Sequence, residues 1–312
     1  MTQTPRSELS PEQLMPLFSD VAIPYTGHRD IGTVRWFGAD SERHYLANKH
    51  PLLGPDDIEY AFNRHGYRCI EFDERERFDE DHLHLLIVGE SHAFGLGLPE
   101  ERSYGYLVAR ELQACTGREV QHWNLSQGGI GADYIARVLP SALAVLRPNF
   151  VILNFPNRHR REYIFADGNY MTCGDGDQVA GSVYTADRHD AVQSAHFEHA
   201  HDDSNRFNQW KSFIVCQRHL RVHNAMWVAQ ASFSMPPRFN QYIAMEKLVP
   251  GRIMDGRLAL YKDKPGLLLA RDGKHAGIGP HADLANDISG LITREYALEI
   301  RRLAEKQAQR AG

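Results

Sequence analysis

The order of short apolar runs and amphipathic segments in this chain predicts an α/β fold, with a parallel sheet and helices on both of its faces. Three observations carry that prediction. The runs over 85–88 and 150–153 are continuously apolar, the pattern of strands buried on both sides. Stretches with apolar residues at helical spacing lie between the strand-like runs. The first run ends in a glycine and the second in an asparagine, Gly89 and Asn154. Sheets of this kind bind ligands there, outside the carboxyl ends of their strands.

Residues 1–80 read as an N-terminal extension packed on the core. Ser10 as cap and Pro11 at the first turn predict a short helix over 11–18. Residues 25–45 mix glycine, aromatics and charges and predict loops with short strand pieces. Residues 56–64 are expected to be helical, and the acidic stretch 71–81 to be a solvated linker. Trp36, Phe37, Tyr45, Tyr60, Phe62, Tyr67 and Phe72 need packing partners. The extension therefore covers one side of the core or forms an interface with a partner.

From 81 to 312 the chain reads as one domain. After the strand at 85–88, Tyr104, Leu107, Val108 and Leu112 place a helix over 101–114. A strand over 119–123 and a helix over 134–146, closed by Pro148, come next, then the strand that begins at Phe150. Further on, a helix over 205–223 would bury Phe207, Trp210, Phe213, Ile214 and Leu220. A strand over 225–231, a short last strand over 267–269 and a final helix over 284–303 complete the order. Residues 162–204 interrupt it with several glycines and few apolar runs. An insertion of about forty residues exceeds an ordinary connection. It is expected to be either a lid over the site or a surface loop without a role.

Composition narrows the function classes. Hydrophobic residues make up 42% and charged residues 24%, which fits a globular chain rather than a disordered one. A net charge of −5 gives no general attraction to nucleic acid. No apolar run approaches the roughly 20 residues needed to span a bilayer, and residues 1–14 lack the apolar core of a signal peptide. Cys69, Cys115, Cys173 and Cys216 are scattered, without a Cys-x-x-Cys pair, and read as reduced thiols of a cytoplasmic protein. His196, His199, His201, Asp202 and Asp203 form a histidine-rich cluster whose spacing fits no zinc motif. No metal is expected.

The chemistry-bearing residues fall at the predicted strand ends. Ser91 follows Gly89 and Glu90 at the tip of the first strand and is a candidate nucleophile. Asp272 and His275 are three residues apart, which puts both side chains on one side of a helical turn or tight loop. Asp272 can then hold one ring nitrogen of His275 while the other faces Ser91, the logic of a serine–histidine–acid triad. Glycines at 128, 129 and 131 follow Asn124 and allow a backbone N–H to point into a site. Asn157, after the third strand, can donate an amide hydrogen. With the N–H groups of Ser91 and Gly129 it would complete an oxyanion hole. His281 is a rival base, and Ser126 a rival nucleophile that lacks the strand-tip position.

This order of serine, glycine, asparagine and a late Asp-x-x-His resembles the SGNH (GDSL-like) hydrolases. The serine block reads Gly89-Glu90-Ser91 where the family has Gly-Asp-Ser. Asn124 to Gly129 match its Asn-x-x-x-x-Gly, and Asp272 and His275 its Asp-x-x-His. Gly277, His281, Leu284 and Ala285 also suit that last block. The third block, commonly Gly-x-Asn-Asp, keeps only Asn157, flanked by Phe155, Pro156 and Arg158. The resemblance covers roughly residues 60 to 295. It implies a three-layer α/β/α sandwich of flavodoxin-like type, with a mainly parallel five-stranded sheet.

The resemblance further implies a serine esterase or deacetylase that cleaves an O-acyl ester, O-acetyl foremost, through an acyl-serine intermediate and without a cofactor. Ser91, His275 and Asp272 would be catalytic, and Ser91, Gly129 and Asn157 would hold the oxyanion. His92 contacts substrate or packs against the first helix. Arg158, with His159, Arg160 and Arg161 beside it, would favour an anionic substrate. A small-molecule or carbohydrate ester is the expected partner. Neither nucleic acid nor a membrane is expected as one. An O-acyltransferase would use the same residues, and a non-catalytic binding module could occupy the same fold.

Overall fold

The computed structural model describes residues 32–72, 82–164, 170–174, 180–181, 186–199, 201–231, 241–249 and 254–311. The helix expected over 11–18 and most of the acidic stretch 71–81 lie outside these residues.

The sheet is built by four parallel strands among the described residues: β1 (Leu83–Gly89), β2 (Val120–Asn124), β3 (Phe150–Asn154) and β4 (Met226–Gln230). Their order across the sheet is β2–β1–β3–β4, with Leu86 opposite both Trp123 and Val151. The expected fifth strand over 267–269 is not one. Pro265 opens a short helix, Pro265–Leu268, as proline at a first helical position favours. Among the described residues, what lies beyond β4 is a single parallel bridge between Ala229 and Leu248.

Alternation along the strands divides the core into two layers. Leu86, Val88, Trp123, Val151, Leu153 and Trp227 face the helices Ala132–Leu146 and Asp202–Val222. Leu85, Ile87, Phe150, Ile152 and Val228 face Tyr104–Thr116 and Ile278–Glu295. Helices thus cover both faces, as the apolar runs predict. Trp123 is fully buried, and truncating an indole so placed costs about 3–5 kcal/mol. The helix expected over 284–303 is two helices, Ile278–Glu295 and Ala297–Ala311, broken at Tyr296, whose hydroxyl bonds the backbone of Trp227.

The extension differs from its reading at 56–64. Ile58 and Tyr60 are buried and Glu59 and Ala61 exposed, an alternation with period two. Accordingly Tyr60–Ala61 pairs with Thr33–Val34 as a short antiparallel ribbon. A helix, Glu42–Asn48, begins in the stretch 25–45, expected to hold loops and strand pieces, and runs past its end. The aromatic residues do pack: Phe37 lies 5.4 Å from Phe94, and Tyr60 6.0 Å from Phe94, between ring centroids. The extension covers the core beside the short helix Ser91–Phe94.

The insertion is folded in part. Arg161–Ile164, Tyr170–Cys173 and Ala180–Gly181 form an antiparallel sheet, followed by the helix Ala186–His199. Asp202–Val222 buries Phe213 and Leu220, as its spacing predicts, but leaves Phe207 exposed. Its buried face also carries Asn205, Asn208, Gln209, Ser212 and Gln217. Gln209 donates to the Pro156 carbonyl and Gln217 to that of Tyr242, so amides take positions that spacing assigns to apolar groups.

Candidate active site

The turn after β1 is set by close packing. A Cβ at Gly89 would lie 2.6 Å from Asn154 Cβ and 2.7 Å from Ala93 Cβ, so only glycine fits where β1 meets β3. Glu90 follows in extended conformation and caps the short helix Ser91–Phe94, with Oε1 accepting from His92 N–H at 3.1 Å. Ser91 is the first residue of that helix, where an N–H has no intrahelical acceptor. The Ser91 hydroxyl donates to Glu90 Oε2 at 2.7 Å. Burial works against a charge on Glu90. His92, Arg160, the Ser91 hydroxyl and His275 nevertheless hold its carboxyl below the ordinary carboxylate range.

The second half of the site is a tight loop closed by a bridge between Leu269 and Ala276. Gly273 turns it in the left-handed region, at φ 68°. Asp272, buried in the loop, accepts at Oδ1 from the N–H groups of Lys274 and His275, both at 3.0 Å. Its Oδ2 lies 2.5 Å from His275 Nδ1. This fixes the imidazole with Nδ1 on the carboxylate and leaves Nε2 for chemistry. Burial opposes the Asp272 charge, but the His275 side chain and these backbone donors hold its carboxyl below its usual value. The His275 ring packs edge-on against His92, with centroids 5.4 Å apart. His92 is the residue after Ser91, so the imidazole–carboxylate pair stands against the helix that carries the serine.

The remaining predicted residues arrive at the same sheet edge. Asn124, at the end of β2, donates to Ala93 O at 2.9 Å and accepts from Ser126 N–H at 3.0 Å, tying that strand end to the serine helix. Gly128 comes so close that its Cβ would lie 3.9 Å from Ser91 Cβ, and Gly129 turns at φ 77°. Asn157 is exposed and forms a side-chain turn: its Oδ1 accepts from His159 N–H at 3.1 Å. That bond sets the amide orientation and leaves Nδ2 as the group able to donate outward. His281 is buried and accepts from Tyr104 N–H at Nδ1, 3.1 Å. Burial, together with the charges of His92 and His275, keeps its pKa well below the ordinary histidine value. It is built as a neutral structural histidine.

No family model and no curated protein matches the sequence. Among solved structures the chain is similar to TesA, at 18% identity, over 68% of this chain and 98% of that one, with a TM-score of 0.42. It is similar to the psychrotrophic esterase EstA from Pseudoalteromonas sp., at 12% identity over 69% and 98% of the two chains, with a TM-score of 0.41. A catalytic mutant of an acetylxylan esterase from Geobacillus stearothermophilus is also similar, at 14% identity over 67% and 94%, with a TM-score of 0.41.

Of the basic run after Asn157, Arg160 comes to the carboxylate beside the serine, with Nη1 3.8 Å from Glu90 Oε2. Arg158 instead bonds Asp202 at 2.6 Å, and Asp202 also receives Arg206 at 2.7 Å, so the Arg158 charge is matched within the insertion. The histidine-rich cluster is dispersed in the same way. His196 Nδ1 pairs with the Tyr163 hydroxyl, His201 caps the helix Asp202–Val222, and no group among the described residues could hold a metal ion. The four cysteines carry no disulfide.

Two site features have no counterpart in the sequence reading. Asn154 and Gln230, neighbours at the ends of β3 and β4, bond through Asn154 Nδ2 and Gln230 Oε1 at 2.6 Å. The signal was a polar residue at the end of each apolar run. Glu90 was visible only as a departure from the family pattern, and its bond to the Ser91 hydroxyl needed the turn geometry.

Proposed function

We propose that the chain is a serine ester hydrolase acting on O-acyl, in the first place O-acetyl, esters of small molecules or carbohydrates. The observation that carries this reading is the Asp272–His275 pair, a buried carboxylate fixing an imidazole that packs against the residue after Ser91.

In this reading Ser91 rotates its hydroxyl from Glu90 to His275 Nε2 when substrate binds. Oγ attacks the ester carbonyl carbon while its proton passes to Nε2. The carbonyl oxygen becomes an oxyanion held by the N–H groups of Ser91 and Gly129 and by Asn157 Nδ2. Collapse breaks the bond to the leaving alcohol, which takes the proton from Nε2. Water then attacks the acyl-serine, giving its proton to His275. The acid departs, and the proton returns to Ser91. Asp272 stays ionised throughout and stabilises the imidazolium.

The test is pre-steady-state hydrolysis of p-nitrophenyl acetate. The reading expects a burst of p-nitrophenol matching the enzyme concentration, and loss of about a millionfold in turnover in Ser91→Ala. Turnover unchanged in Ser91→Ala would remove Ser91 as the nucleophile.

A further inference from the structure

The serine and the imidazole come from segments nearly two hundred residues apart in the chain, and neither segment alone fixes the distance between them. The N-terminal extension touches both. Asp40 and Arg271 form an ion pair with both side chains wholly shielded from solvent, Nη2 to Oδ2 at 2.7 Å. Arg271 immediately precedes Asp272. Its remaining N–H groups donate to the carbonyls of Arg35, Gly54 and Pro55, and Trp36 lies over the guanidinium at 4.0 Å. His50 adds a bond from Nε2 to Leu269 O at 2.8 Å. The base loop is thus gripped on one side by 35–55.

The same extension grips the segment that follows Ser91. Arg68, buried, donates to the carbonyls of Gly95 at 2.7 Å and Leu98 at 2.9 Å. Tyr60 joins the two grips. Its hydroxyl donates to Asp40 Oδ2 at 2.6 Å and accepts from Gly97 N–H at 2.8 Å. Gly97 O in turn accepts from Arg271 N–H at 2.9 Å, and a Cβ on Gly97 would sit 2.7 Å from Ala270 Cβ. Leu96 N–H donates to Ser91 O at 3.1 Å, so 95–98 continues rigidly from the serine helix.

We infer that Asp40, Tyr60 and Arg271 are positioning residues, a clasp through which the N-terminal extension sets the serine segment and the Asp272–His275 loop at working distance. The catalytic consequence rests on the function proposed above; the clasp itself does not. None of the three touches the reacting atoms. A misplacement of about 1 Å between catalytic groups can cost about a hundredfold in rate. A clasp of this kind therefore affects kcat more than substrate binding.

Tyr60→Phe is the test in the full chain, because it deletes the one oxygen that joins the two grips and keeps the ring. Hydrogen exchange of the segments 95–98 and 269–277 is read alongside kcat and KM on p-nitrophenyl acetate, normalised to sites titrated by the burst. The expected result is exchange about tenfold faster in those two segments and not in the sheet strands, as loss of one buried hydrogen bond allows. Turnover per titrated site falls about tenfold to a hundredfold with KM unchanged. Exchange in both segments equal to wild type, or equal turnover per titrated site, overturns the inference. If the wild-type chain hydrolyses no ester, the proposed function falls and the exchange result alone decides the clasp. Should Tyr60→Phe fail to fold, Trp36→Leu, which removes the half-buried ring over Arg271, carries the same comparison.

Discussion

Ser91 rests its hydroxyl on the carboxylate of its own neighbour, Glu90, at 2.7 Å. Glu90 also caps the helix that Ser91 begins, through Oε1 and His92 N–H. The carboxylate therefore orients the serine segment and competes for its proton. A carboxylate this close could itself be read as the base, and the two assignments predict opposite orders of sensitivity.

With His275 as base, Glu90→Gln keeps an oxygen for the cap and lowers turnover by less than about tenfold. His275→Ala removes the proton acceptor and lowers it by several orders of magnitude, up to about a millionfold. Turnover of the two purified variants on p-nitrophenyl acetate gives the order directly. A collapse in Glu90→Gln with His275→Ala retained would make Glu90 the base.

Asn157 supplies the second prediction. Its Oδ1 is engaged by His159 N–H, which fixes the direction of Nδ2. If Nδ2 meets the developing oxyanion, Asn157→Ala lowers kcat about a hundredfold to a thousandfold with little change in KM, because the bond strengthens in the transition state. A variant with a lower melting temperature and a normal rate per folded molecule would mean that Asn157 serves only its turn.

The third prediction concerns pH and stability. His281 is held neutral in the folded chain by burial and by His92 and His275, so its folded pKa lies below the unfolded value of about 6.5. Below about pH 6.5 the unfolded chain binds a proton that the native state refuses, and stability falls as pH drops. Glu90 and Asp272 act in a lower window. Their folded pKa values are depressed, so their contribution is present above the unfolded values, 4.5 for Glu90 and 3.8 for Asp272, and is lost as pH falls through the folded values. Between about pH 6.5 and 4.5 the slope therefore reports His281 together with His223, whose pKa burial also lowers. His281→Asn, which keeps an acceptor for Tyr104 N–H, should flatten the melting temperature over that range. An unchanged slope would assign the effect to other groups.

Period and strand-end chemistry made most of the fold legible in the sequence. The continuous run from Leu85 to Val88 and the alternation of its residues between two core layers follow from burial on both faces. Where local preference and tertiary packing diverge, the reading fails for a physical reason. Residues 56–64 hold helix-favouring Glu, Ala and Arg behind aspartates suited to a first turn, yet Ile58 and Tyr60 alternate with exposed neighbours because the segment pairs as a ribbon. Phe207 has the spacing of a core residue and is exposed, while Gln209 and Gln217 are buried because each finds a backbone carbonyl. In the site, Asp272 and His275 were legible because three residues within one turn must meet. The link from Asp40 to Arg271 spans 231 positions and leaves no local trace.

Labelling with a fluorophosphonate probe, located by mass spectrometry, asks whether Ser91 is the activated nucleophile. The probe forms a covalent bond only with an activated hydroxyl. A single label is expected on Ser91 in the wild-type chain, and its loss in both Ser91→Ala and His275→Ala, with all three proteins folded. A label on Ser126, or labelling undiminished in Ser91→Ala, would contradict it.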